Sequence, residues 1–286
     1  MMKKVWFITG CSTGLGRELA LYAADQGDVV VGTLRSEDQK SAFDQERPGQ
    51  TFGVIMDVTK PEQIPPAVNF ALEQFGRIDV LVNNAGYGSL GPVEEVTESE
   101  MFRQFDVNVY GCVRMIQAVL PAMRAQRSGH ILNITSIAGL NGFPGVGIYN
   151  GSKFALEGIG EALAAEVSHL GIHVTNIEPG PFRTDWAGRS ATFSSSKIED
   201  YQASAHKNME SIQGVSGKQV GSPFKAAKAM FDVTQLEQPP VHLPLGRAAY
   251  KRVRIKLDEF AKEVDQFEHI GLPTDYTEDE LKELDG

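Results

Sequence analysis

Three side chains in the middle of the chain have the types and spacing needed to move a proton at a carbonyl or alcohol oxygen. Tyr149 and Lys153 are four positions apart, so on a helix they lie on one face, one turn apart. A phenol is a poor base because its unperturbed pKa is about 10, and a neighbouring ammonium lowers that pKa. Ser136 follows an apolar, strand-like run at 130–135, so its hydroxyl would lie at the carboxyl end of a strand. We predict an acid/base centre formed by these three residues.

Tyr149 and Lys153 alone do not identify a site, because the same spacing occurs on ordinary amphipathic helices with surface tyrosine and lysine residues. The start of the chain favours the site. An apolar run at 5–8 predicts a buried strand, a turn containing Gly10, Gly14 and Gly16 follows, and a helical pattern covers 17–26. The three glycines suit a tight turn, close approach of the backbone to a pyrophosphate, and close helix–strand packing. The first turn of such a helix also attracts phosphate, so this segment predicts a dinucleotide-binding unit.

The end of the second predicted strand, 28–34, indicates which nicotinamide cofactor binds. A carboxylate at this position usually binds the ribose 2′-hydroxyl of NAD, but here Arg35 follows the strand. The forked donors of arginine suit a 2′-phosphate. We therefore predict NADP(H) in preference to NAD(H). The alternative is that Arg35 is a solvated loop charge, since Glu37 and Asp38 follow it closely.

The rest of the chain continues to alternate predicted strands with predicted helices. This pattern predicts an α/β fold with a doubly wound, Rossmann-type parallel sheet in a single domain spanning residues 1–286. We expect 185–215 to form a substrate lid and 246–286 to form a C-terminal helical extension. Predicted strands lie at 52–56, 78–82, 130–135, 172–177 and 241–243, and predicted helices at 61–75, 97–126, 149–170 and 223–235.

The bulk properties exclude several classes of function. A formal net charge of −10 argues against general affinity for nucleic acid or an anionic membrane. Cys11 and Cys112 are too few for a disulfide framework, and the six histidines form no ligand-like cluster in the sequence, so we predict no metal site. No run reaches the ~18 apolar residues of a membrane span. The expectation is a soluble, cytoplasmic protein, with the basic residues of 247–256 forming a solvated surface.

Taken together, the motifs resemble the short-chain dehydrogenase/reductase family, in its single-domain branch. They occur in the order found in that family and cover roughly residues 3–190. The matching residues are Thr9-Gly10-(x)3-Gly14-x-Gly16, Asp57, Asn83-Asn84-Ala85-Gly86, Asn108, Ser136, Tyr149-(x)3-Lys153, and Pro179-Gly180 with Thr184.

The resemblance implies roles for the predicted acid/base centre. Tyr149 would be the acid/base, and Lys153 would lower its pKa and hold the nicotinamide ribose. Ser136 would orient the carbonyl oxygen. Asn108 would support a water relay to Lys153.

The resemblance also implies which residues contact the cofactor. Asp57 would contact the adenine, Asn83 would steady the central strand, and Thr184 would bind the carboxamide. An asparagine such as Asn83 could also serve as a helix cap or turn former. The other expected contacts, besides Tyr149, Lys153 and Arg35, come from Gly10, Thr13, Gly14, Leu15, Gly16, Val58, Ala85, Gly86, Pro179 and Gly180.

The sequence is less specific about the substrate. We expect an apolar pocket beneath the lid, although each of its aromatic residues could equally pack in the local core. The expected lining residues are Tyr87, Leu140, Phe143, Phe182 and Trp186.

The predicted function is NADP(H)-dependent hydride transfer between the nicotinamide and a carbonyl or secondary alcohol, with an apolar ketone or aldehyde as the expected substrate. The alternatives are an NAD-dependent alcohol dehydrogenase of the same family, a non-catalytic cofactor sensor, and a sugar-nucleotide epimerase or dehydratase. A sensor needs no acid/base, and the epimerases carry a different glycine spacing and a larger C-terminal domain. The resemblance further implies a homo-oligomer, a dimer or tetramer formed through the helices up to and including the one that carries Tyr149.

Overall fold

A computed structural model describes residues 3–195 and 198–285. Strands and helices alternate along the described chain. The strands are β1 (Val5–Ile8), β2 (Val29–Leu34), β3 (Thr51–Ile55), β4 (Val80–Asn83), β5 (Gly88–Leu90), β6 (Gly129–Ile134), β7 (Ile172–Pro179), β8 (Ala191–Phe193) and β9 (His242–Leu245). The helices are α1 (Gly14–Asp25), α2 (Glu37–Asp44), α3 (Ile64–Phe75), α4 (Glu98–Phe105), α5 (Gly111–Gln126), α6 (Gly147–Val167), α7 (Trp186–Arg189), α8 (Lys207–Gly214), α9 (Pro223–Val233), α10 (Arg247–Gly271) and α11 (Glu278–Leu284).

Seven of the strands form one parallel sheet in the order β3-β2-β1-β4-β6-β7-β9. The chain winds outward from β1 to β3 and then outward from β4 to β9. The strand order therefore reverses between β1 and β4, and a crevice for ligands forms at such a point, outside the carboxyl ends of the strands. This topology confirms the predicted Rossmann-type α/β fold. β5 and β8 form a separate two-stranded parallel pair.

The strands are apolar runs because both faces of the sheet are covered by helices. All four residues of β1 are buried. Trp6 packs on one face with helices α1 and α9, and Phe7 packs on the other face with helices α3 and α5. This two-sided burial accounts for the continuous hydrophobicity of the strand.

The predicted helix at 97–126 is interrupted in the structure. A π-helical segment, Asp106–Tyr110, lies between α4 and α5, so the chain stays helical from one to the other. One extra residue per turn rotates the side chains that follow, and such segments occur often at functional sites. Asn108, one of the predicted site residues, lies in this segment.

The predicted lid at 185–215 is folded. It contains α7, β8, a π-helical segment at Gln202–His206 and α8, and β8 pairs with β5. Ser196 and Lys197 lie outside the described residues. Whether the segment opens and closes stays a prediction.

The predicted C-terminal extension begins with α10, which runs from Arg247 to Gly271, and ends with α11. Leu281 and Leu284 on α11 are exposed, and Gly286 lies outside the described residues. No helix in the described part of the chain is both long enough and apolar enough to cross a membrane.

Candidate active site

The structure brings Tyr149, Lys153 and Ser136 together beside the end of β6. Tyr149 lies in the first turn of α6 and is 8% exposed, while Lys153 is 6% exposed. Lys153 Nζ donates a hydrogen bond of 2.8 Å to the carbonyl oxygen of Ile134, the last residue of β6. Ser136 begins a short turn by accepting a hydrogen bond of 3.0 Å from the Ala138 N–H. A hydroxyl, a phenol and an ammonium therefore share one buried site.

The pKa of Tyr149 moves in the direction opposite to the sequence-based expectation. Burial raises it to about 12, although a hydrogen bond with the Ser136 hydroxyl acts against that rise. The position of the Lys153 ammonium accounts for this difference. Its Nζ donates a hydrogen bond to the Ile134 carbonyl oxygen and lies 5.8 Å from the centroid of the Tyr149 ring. Burial therefore dominates the pKa of this phenol, and Tyr149 is protonated at neutral pH.

Burial also changes the pKa of Lys153. It lowers that pKa to about 8, while the electrostatic effects of Cys112 and Glu157 act in the opposite direction. Lys153 therefore remains mostly charged at neutral pH and loses its charge at mildly alkaline pH. Such a shift at a buried group marks a candidate functional residue.

Asn108 holds the backbone next to this centre. Its Oδ1 accepts a hydrogen bond of 3.1 Å from the Tyr87 N–H, and its Nδ2 donates one of 3.0 Å to the Tyr87 carbonyl. A Cβ atom added to Gly86 would lie 3.2 Å from Asn108 Oδ1 and 3.7 Å from Lys153 Nζ. The structure thus places Asn108, Gly86 and Lys153 side by side. The water relay expected of Asn108 stays a prediction.

The glycine-rich turn has the geometry that a pyrophosphate requires. Gly10 and Gly14 have φ angles of 73° and 67°, which side-chain-bearing residues rarely adopt. A Cβ on Gly10 would lie 3.1 Å from Ala85 Cα, whereas one on Gly14 would meet only the Thr184 methyl group, at 4.0 Å. Gly14 therefore leaves open space, and Thr184 faces it across that space.

Asn84 fastens this turn to the rest of the sheet, a role that the sequence motif did not reveal. Its Nδ2 donates hydrogen bonds of 2.8 Å to the Thr9 carbonyl and 3.0 Å to the Gly10 carbonyl. A Cβ on Gly16 would collide with the Asn84 side chain. Gly16 is thus required for packing against β4 and its continuation, as predicted, and the partner is Asn84.

Other residues that were predicted to contact the cofactor differ in their burial and in their hydrogen bonds within the protein. The half-buried side chain of Leu15 packs against the core cluster on one face of the sheet, and Val58 is buried in the cluster on the other face. Thr13 precedes α1, and its side chain makes no capping hydrogen bond to that helix within the described chain. Gly180 follows Pro179 at the end of β7 and donates a hydrogen bond of 3.0 Å to the Leu245 carbonyl.

Asp57 is held in a tight turn after β3. Its Oδ1 accepts hydrogen bonds of 2.9 Å from the Thr59 N–H and 2.8 Å from the Thr59 hydroxyl. Its own N–H donates a hydrogen bond of 2.8 Å to Gln63 Oε1. The carboxylate is therefore fixed and half-buried at the carboxyl edge of the sheet.

The acidic residues that follow Arg35 belong to the start of helix α2. Ser36 caps α2 by accepting a hydrogen bond of 3.4 Å from the Gln39 N–H. Glu37 and Asp38 occupy the first turn of α2, where carboxylates are favourable for the helix dipole. Arg35 itself is exposed directly after β2.

A ladder of asparagines crosses the middle of the sheet. Asn83 on β4, Asn133 on β6 and Asn176 on β7 are paired in register. Asn83 Nδ2 donates to Asn133 Oδ1 at 2.9 Å, and Asn133 Nδ2 donates to Asn176 Oδ1 at 3.1 Å. The sequence analysis identified only Asn83. The other two asparagines could have been found, because each is a polar residue inside an apolar strand.

The ladder ends in a cluster that the sequence did not predict. Asn176 Nδ2 donates a hydrogen bond of 2.7 Å to Glu157 Oε2, and His242 Nδ1 lies 2.8 Å from Glu178 Oε1. Polar atoms of Glu157, Glu178 and His242 lie within 4.8 Å of one another. His242 therefore joins a group of possible metal ligands that the sequence analysis did not identify, and the absence of a metal site stays a prediction. Hydrogen bonds connect Glu157 to Asn176 and His242 to Glu178, while Glu157 Oε1 and Glu178 Oε2 have no hydrogen-bond partner within the described chain.

Two of the five residues expected in the substrate pocket contact the apolar cluster that contains Tyr149. Trp186 lies with its ring centroid 5.1 Å from that of Tyr149, and Phe143 packs against the same cluster. The sequence missed several members, which are distant in the chain and share no motif. They are Leu90, Val146, Ala191, Phe193, Met209 and Ile212.

The other three residues lie in different surroundings. Leu140 lines a groove between α6 and α10. Phe182 packs against the core cluster that contains α1 and α9, because a β-bridge to Gly221 holds it there. Tyr87 is held by Asn108, and the Arg103 guanidinium lies 5.4 Å from its ring centroid.

The folded lid segment is tied to the loop after β5 by one buried carboxylate. Glu95 accepts hydrogen bonds of 2.9 Å from the Ser194 hydroxyl and 2.7 Å from the Ile198 N–H, and it lies 2.9 Å from His206 Nε2. Burial raises the pKa of Glu95, but these hydrogen bonds outweigh burial and leave it below its usual value. The segment is thereby held over the Tyr149 cluster.

These observations fit a dinucleotide along the carboxyl edge of the sheet. The turn at Gly14 is open, and the first turn of α1 contains no acidic residue that would repel phosphate. Asn83 Oδ1 is buried and has no hydrogen-bond partner within the described chain. The donors and open backbone therefore suit a phosphate-bearing cofactor near Gly14 that extends towards Lys153.

Comparison with known proteins identifies the group of proteins that this chain resembles. A model of the short chain dehydrogenase family matches residues 4–194. An oxidoreductase, BOA17, from Botryotinia fuckeliana is 41% identical over 249 residues, covering 86% of this chain and 89% of that protein. A 3-ketodihydrosphingosine reductase from Bacteroides thetaiotaomicron is 36% identical, covering 86% of this chain and 89% of that protein. Retinol dehydrogenase 8 from Bos taurus is 40% identical, covering 64% of this chain and 60% of that protein.

Solved structures agree with these relatives. A short-chain dehydrogenase from Streptomyces avermitilis superposes with a TM-score of 0.90 at 37% identity, covering 96% of this chain and 99% of that one. A Burkholderia phymatum enzyme in complex with NAD gives 0.81 at 25% identity, with coverages of 91% and 95%. An alcohol dehydrogenase from Thermococcus sibiricus complexed with 5-hydroxy-NADP gives 0.69 at 26% identity, with coverages of 85% and 96%.

Proposed function

The chain belongs to the short-chain dehydrogenase/reductase family and is an oxidoreductase of that family, and from this premise we propose its specific reaction. It transfers a hydride between NADP(H) and the carbon of an apolar ketone, aldehyde or secondary alcohol. The observation that carries the proposal is the buried Tyr149 phenol, protonated at neutral pH, beside the Ser136 hydroxyl and the Lys153 ammonium.

The side chains of this centre supply proton transfer and charge stabilisation. In the reducing direction, the Tyr149 phenol donates a proton to the substrate oxygen, and Ser136 donates a hydrogen bond to the same oxygen. Both act where negative charge develops, and general acid catalysis of this kind contributes about 10²- to 10⁴-fold in rate. The nicotinamide, when bound, supplies or accepts the hydride. In the oxidising direction, Tyr149 accepts the proton instead.

Lys153 and Asn108 organise the centre. Lys153 stabilises the phenolate by its charge and offers donors to a ribose hydroxyl, since its Nζ lies beside Gly86. Asn108 fixes the Tyr87 backbone next to that ammonium. These two residues therefore position the groups that touch the substrate.

The preference for NADP(H) is supported by the end of β2. Arg35 is exposed there, and Leu34 stands where a carboxylate for the ribose hydroxyl of NAD is usual. Solved relatives bind either NAD or an NADP derivative, so the family does not decide the preference. The charge at Arg35 supports NADP(H).

An apolar substrate is supported by the surroundings of the phenol. Trp186, Phe143 and Met209 belong to or contact the cluster that contains Tyr149. Two relatives bear names that refer to molecules with long hydrocarbon parts, 3-ketodihydrosphingosine and retinol. We further propose that the enzyme acts as a cytoplasmic homo-oligomer on a small molecule.

A substrate panel tests this function. Aliphatic and aromatic ketones, aldehydes and secondary alcohols are incubated with each reduced or oxidised cofactor, and the absorbance of the reduced nicotinamide is followed. We expect turnover with NADPH and apolar ketones or aldehydes, and weaker turnover with NADH. Loss of turnover in Ser136→Ala would assign it to this site. Turnover with NADH alone would support the NAD-dependent alternative, and cofactor binding without turnover would support a sensor.

A further inference from the structure

Helix α10 presents an apolar stripe that the rest of the described chain leaves largely exposed. Every residue from 254 to 271 is exposed. Five of its large apolar residues recur at alternating intervals of four and three, which places these five on one face with the period of a coiled coil. A helix gains most of its stability from packing such a face, so the bare stripe calls for a partner. The stripe consists of Val253, Leu257, Phe260, Val264 and Phe267, of which the last four are 63%, 56%, 54% and 50% exposed.

The charges along α10 run against its backbone dipole. Acidic residues are favourable near a helix N-terminus and basic residues near its C-terminus. In α10 the first ten residues carry only basic charges, and most charges after them are acidic. Helix stability therefore does not explain this distribution. The basic residues are Arg247, Lys251, Arg252, Arg254 and Lys256, and the acidic residues are Asp258, Glu259, Glu263, Asp265 and Glu268.

We propose that α10 docks against α10 of a second copy of this chain, antiparallel, about a two-fold axis that passes between Asp258 and Glu259. An antiparallel pair brings the basic half of each helix against the acidic half of the other, whereas a parallel pair would bring like charges together. A two-fold axis requires a self-complementary surface. The charge pattern of α10 is self-complementary in this arrangement.

The axis fixes which side chains meet. Leu257 lies against Phe260 of the second copy, and Val253 lies against Val264 of the second copy. At the edges of the stripe, Lys256 lies opposite Glu263 of the second copy. A register shifted by seven residues would instead set the two copies of Glu263 against each other, so charge selects the proposed register.

A groove beside the stripe provides room for the second helix. It has a volume of about 360 Å³ and lies between α6 and α10. Phe154 on α6 is 44% exposed and faces Val253 and Leu257 across it. The C-terminal half of the second α10 would fill this groove. The resulting interface differs from the one expected through the earlier helices, because α10 forms its centre.

Sedimentation velocity of the full-length protein tests the interface. We expect a dimer for the wild type and a monomer for Phe260→Glu, which places a charge at the centre of the stripe. Ile255→Glu is the matched control, since Ile255 lies on the opposite face of α10, and it should remain a dimer. Circular dichroism and NADPH binding verify that each variant is folded. A wild type that is monomeric, or a Phe260→Glu variant that remains a dimer, would overturn the proposal.

A charge exchange tests the orientation. Lys256→Glu and Glu263→Lys should each raise the dimer dissociation constant by roughly 2- to 30-fold, because each disrupts two symmetry-related pairs. The double variant should restore it. The two residues are about 10 Å apart along one helix, so restoration reports a contact between copies. A double variant as weak as the single variants would refute the antiparallel register. A monomeric wild type that sediments with anionic phospholipid vesicles would assign the stripe to a membrane surface instead.

Discussion

Tyr149 shows how burial decides protonation at a catalytic centre. The sequence suggested that Lys153 would lower the pKa of the phenol, but the structure places the ammonium against the Ile134 carbonyl and buries the ring. The phenol is therefore protonated when the site is ready to reduce a carbonyl. Ser136, a short distance along the chain, adds the second donor. The residue types were evident from the sequence, but their protonation states could be inferred only once the structure showed that the side chains are buried.

At the residue scale, the pKa of Lys153 predicts a pH dependence. The charged form exists below a pKa of about 8, so kcat/KM for NADPH should fall as the pH rises through that value. Lys153→Met should weaken NADPH binding and abolish the decline. Lys153→Arg keeps its charge throughout this range and should also lack the decline, at a lower rate because its shape differs. The pH–rate profiles of the three proteins decide this, and an unchanged decline in Lys153→Met would assign it to another group.

Arg35 predicts the cofactor preference. Arg35→Ala removes a charge-assisted contact to a 2′-phosphate, which is worth about 1.5–3 kcal/mol. The dissociation constant for NADPH should rise by roughly 10- to 150-fold, while that for NADH changes little. Leu34→Asp should shift the preference further towards NADH. Fluorescence titrations with both cofactors measure these constants. Equal losses for both cofactors would show that Arg35 only supports its loop.

At the scale of elements, the asparagine ladder joins the active site to the far edge of the sheet. The line from Asn83 through Asn133 and Asn176 ends at Glu157 on α6, one turn after Lys153. β7 and β9 then add Glu178 and His242, whose polar atoms lie beside Glu157. Buried polar groups need partners, so this line fixes the register of three strands and the position of α6.

The carboxyl pair at the end of the ladder predicts how stability changes with pH. Burial, with the nearby charge of Glu157, raises the pKa of Glu178 from 4.5 to about 7, although His242 acts in the opposite direction. Because the folded-state pKa is raised, the contribution of Glu178 to the free energy of unfolding is fully present below pH 4.5. That contribution is lost as the pH rises through about 7.

The glutamine of the Glu178→Gln variant cannot ionise. The urea concentration at the midpoint of unfolding should therefore fall less in this variant than in the wild type between pH 5 and pH 8. Urea denaturation at several pH values measures this. Glu161→Gln is the control, because Glu161 lies near the outer side of His242 and its side chain is 57% exposed. A Glu178→Gln variant with the same pH dependence as the wild type would contradict the assignment.

At the scale of the whole molecule, the sequence predicted the sheet because both faces of its strands are covered. Continuous apolar runs such as Val5–Ile8 have one simple explanation, a buried parallel strand. The motif residues Tyr149 and Lys153 were likewise recognisable once the glycine-rich turn and the other motifs were found in the same chain. Contacts between distant segments could not be predicted from the sequence. The hydrogen bonds that Ser194 and Ile198 of the lid donate to Glu95, for example, depend on the path of the chain. The surroundings of Phe182 and Leu140 were not predictable for the same reason, since an apolar residue in a loop can face any neighbouring surface.

The central claim is that this enzyme transfers a hydride from NADPH to a carbonyl carbon, with Tyr149 as the proton donor. The most direct measurement uses NADPH deuterated at the transferring position, an apolar ketone, and mass spectrometry of the alcohol that forms. We predict one deuterium on the carbinol carbon with the wild type. Tyr149→Phe should form product at least ~10²-fold more slowly while binding NADPH normally. Failure of the wild type to transfer deuterium to any ketone or aldehyde tested, or more than a tenth of wild-type turnover in Tyr149→Phe, would contradict the claim.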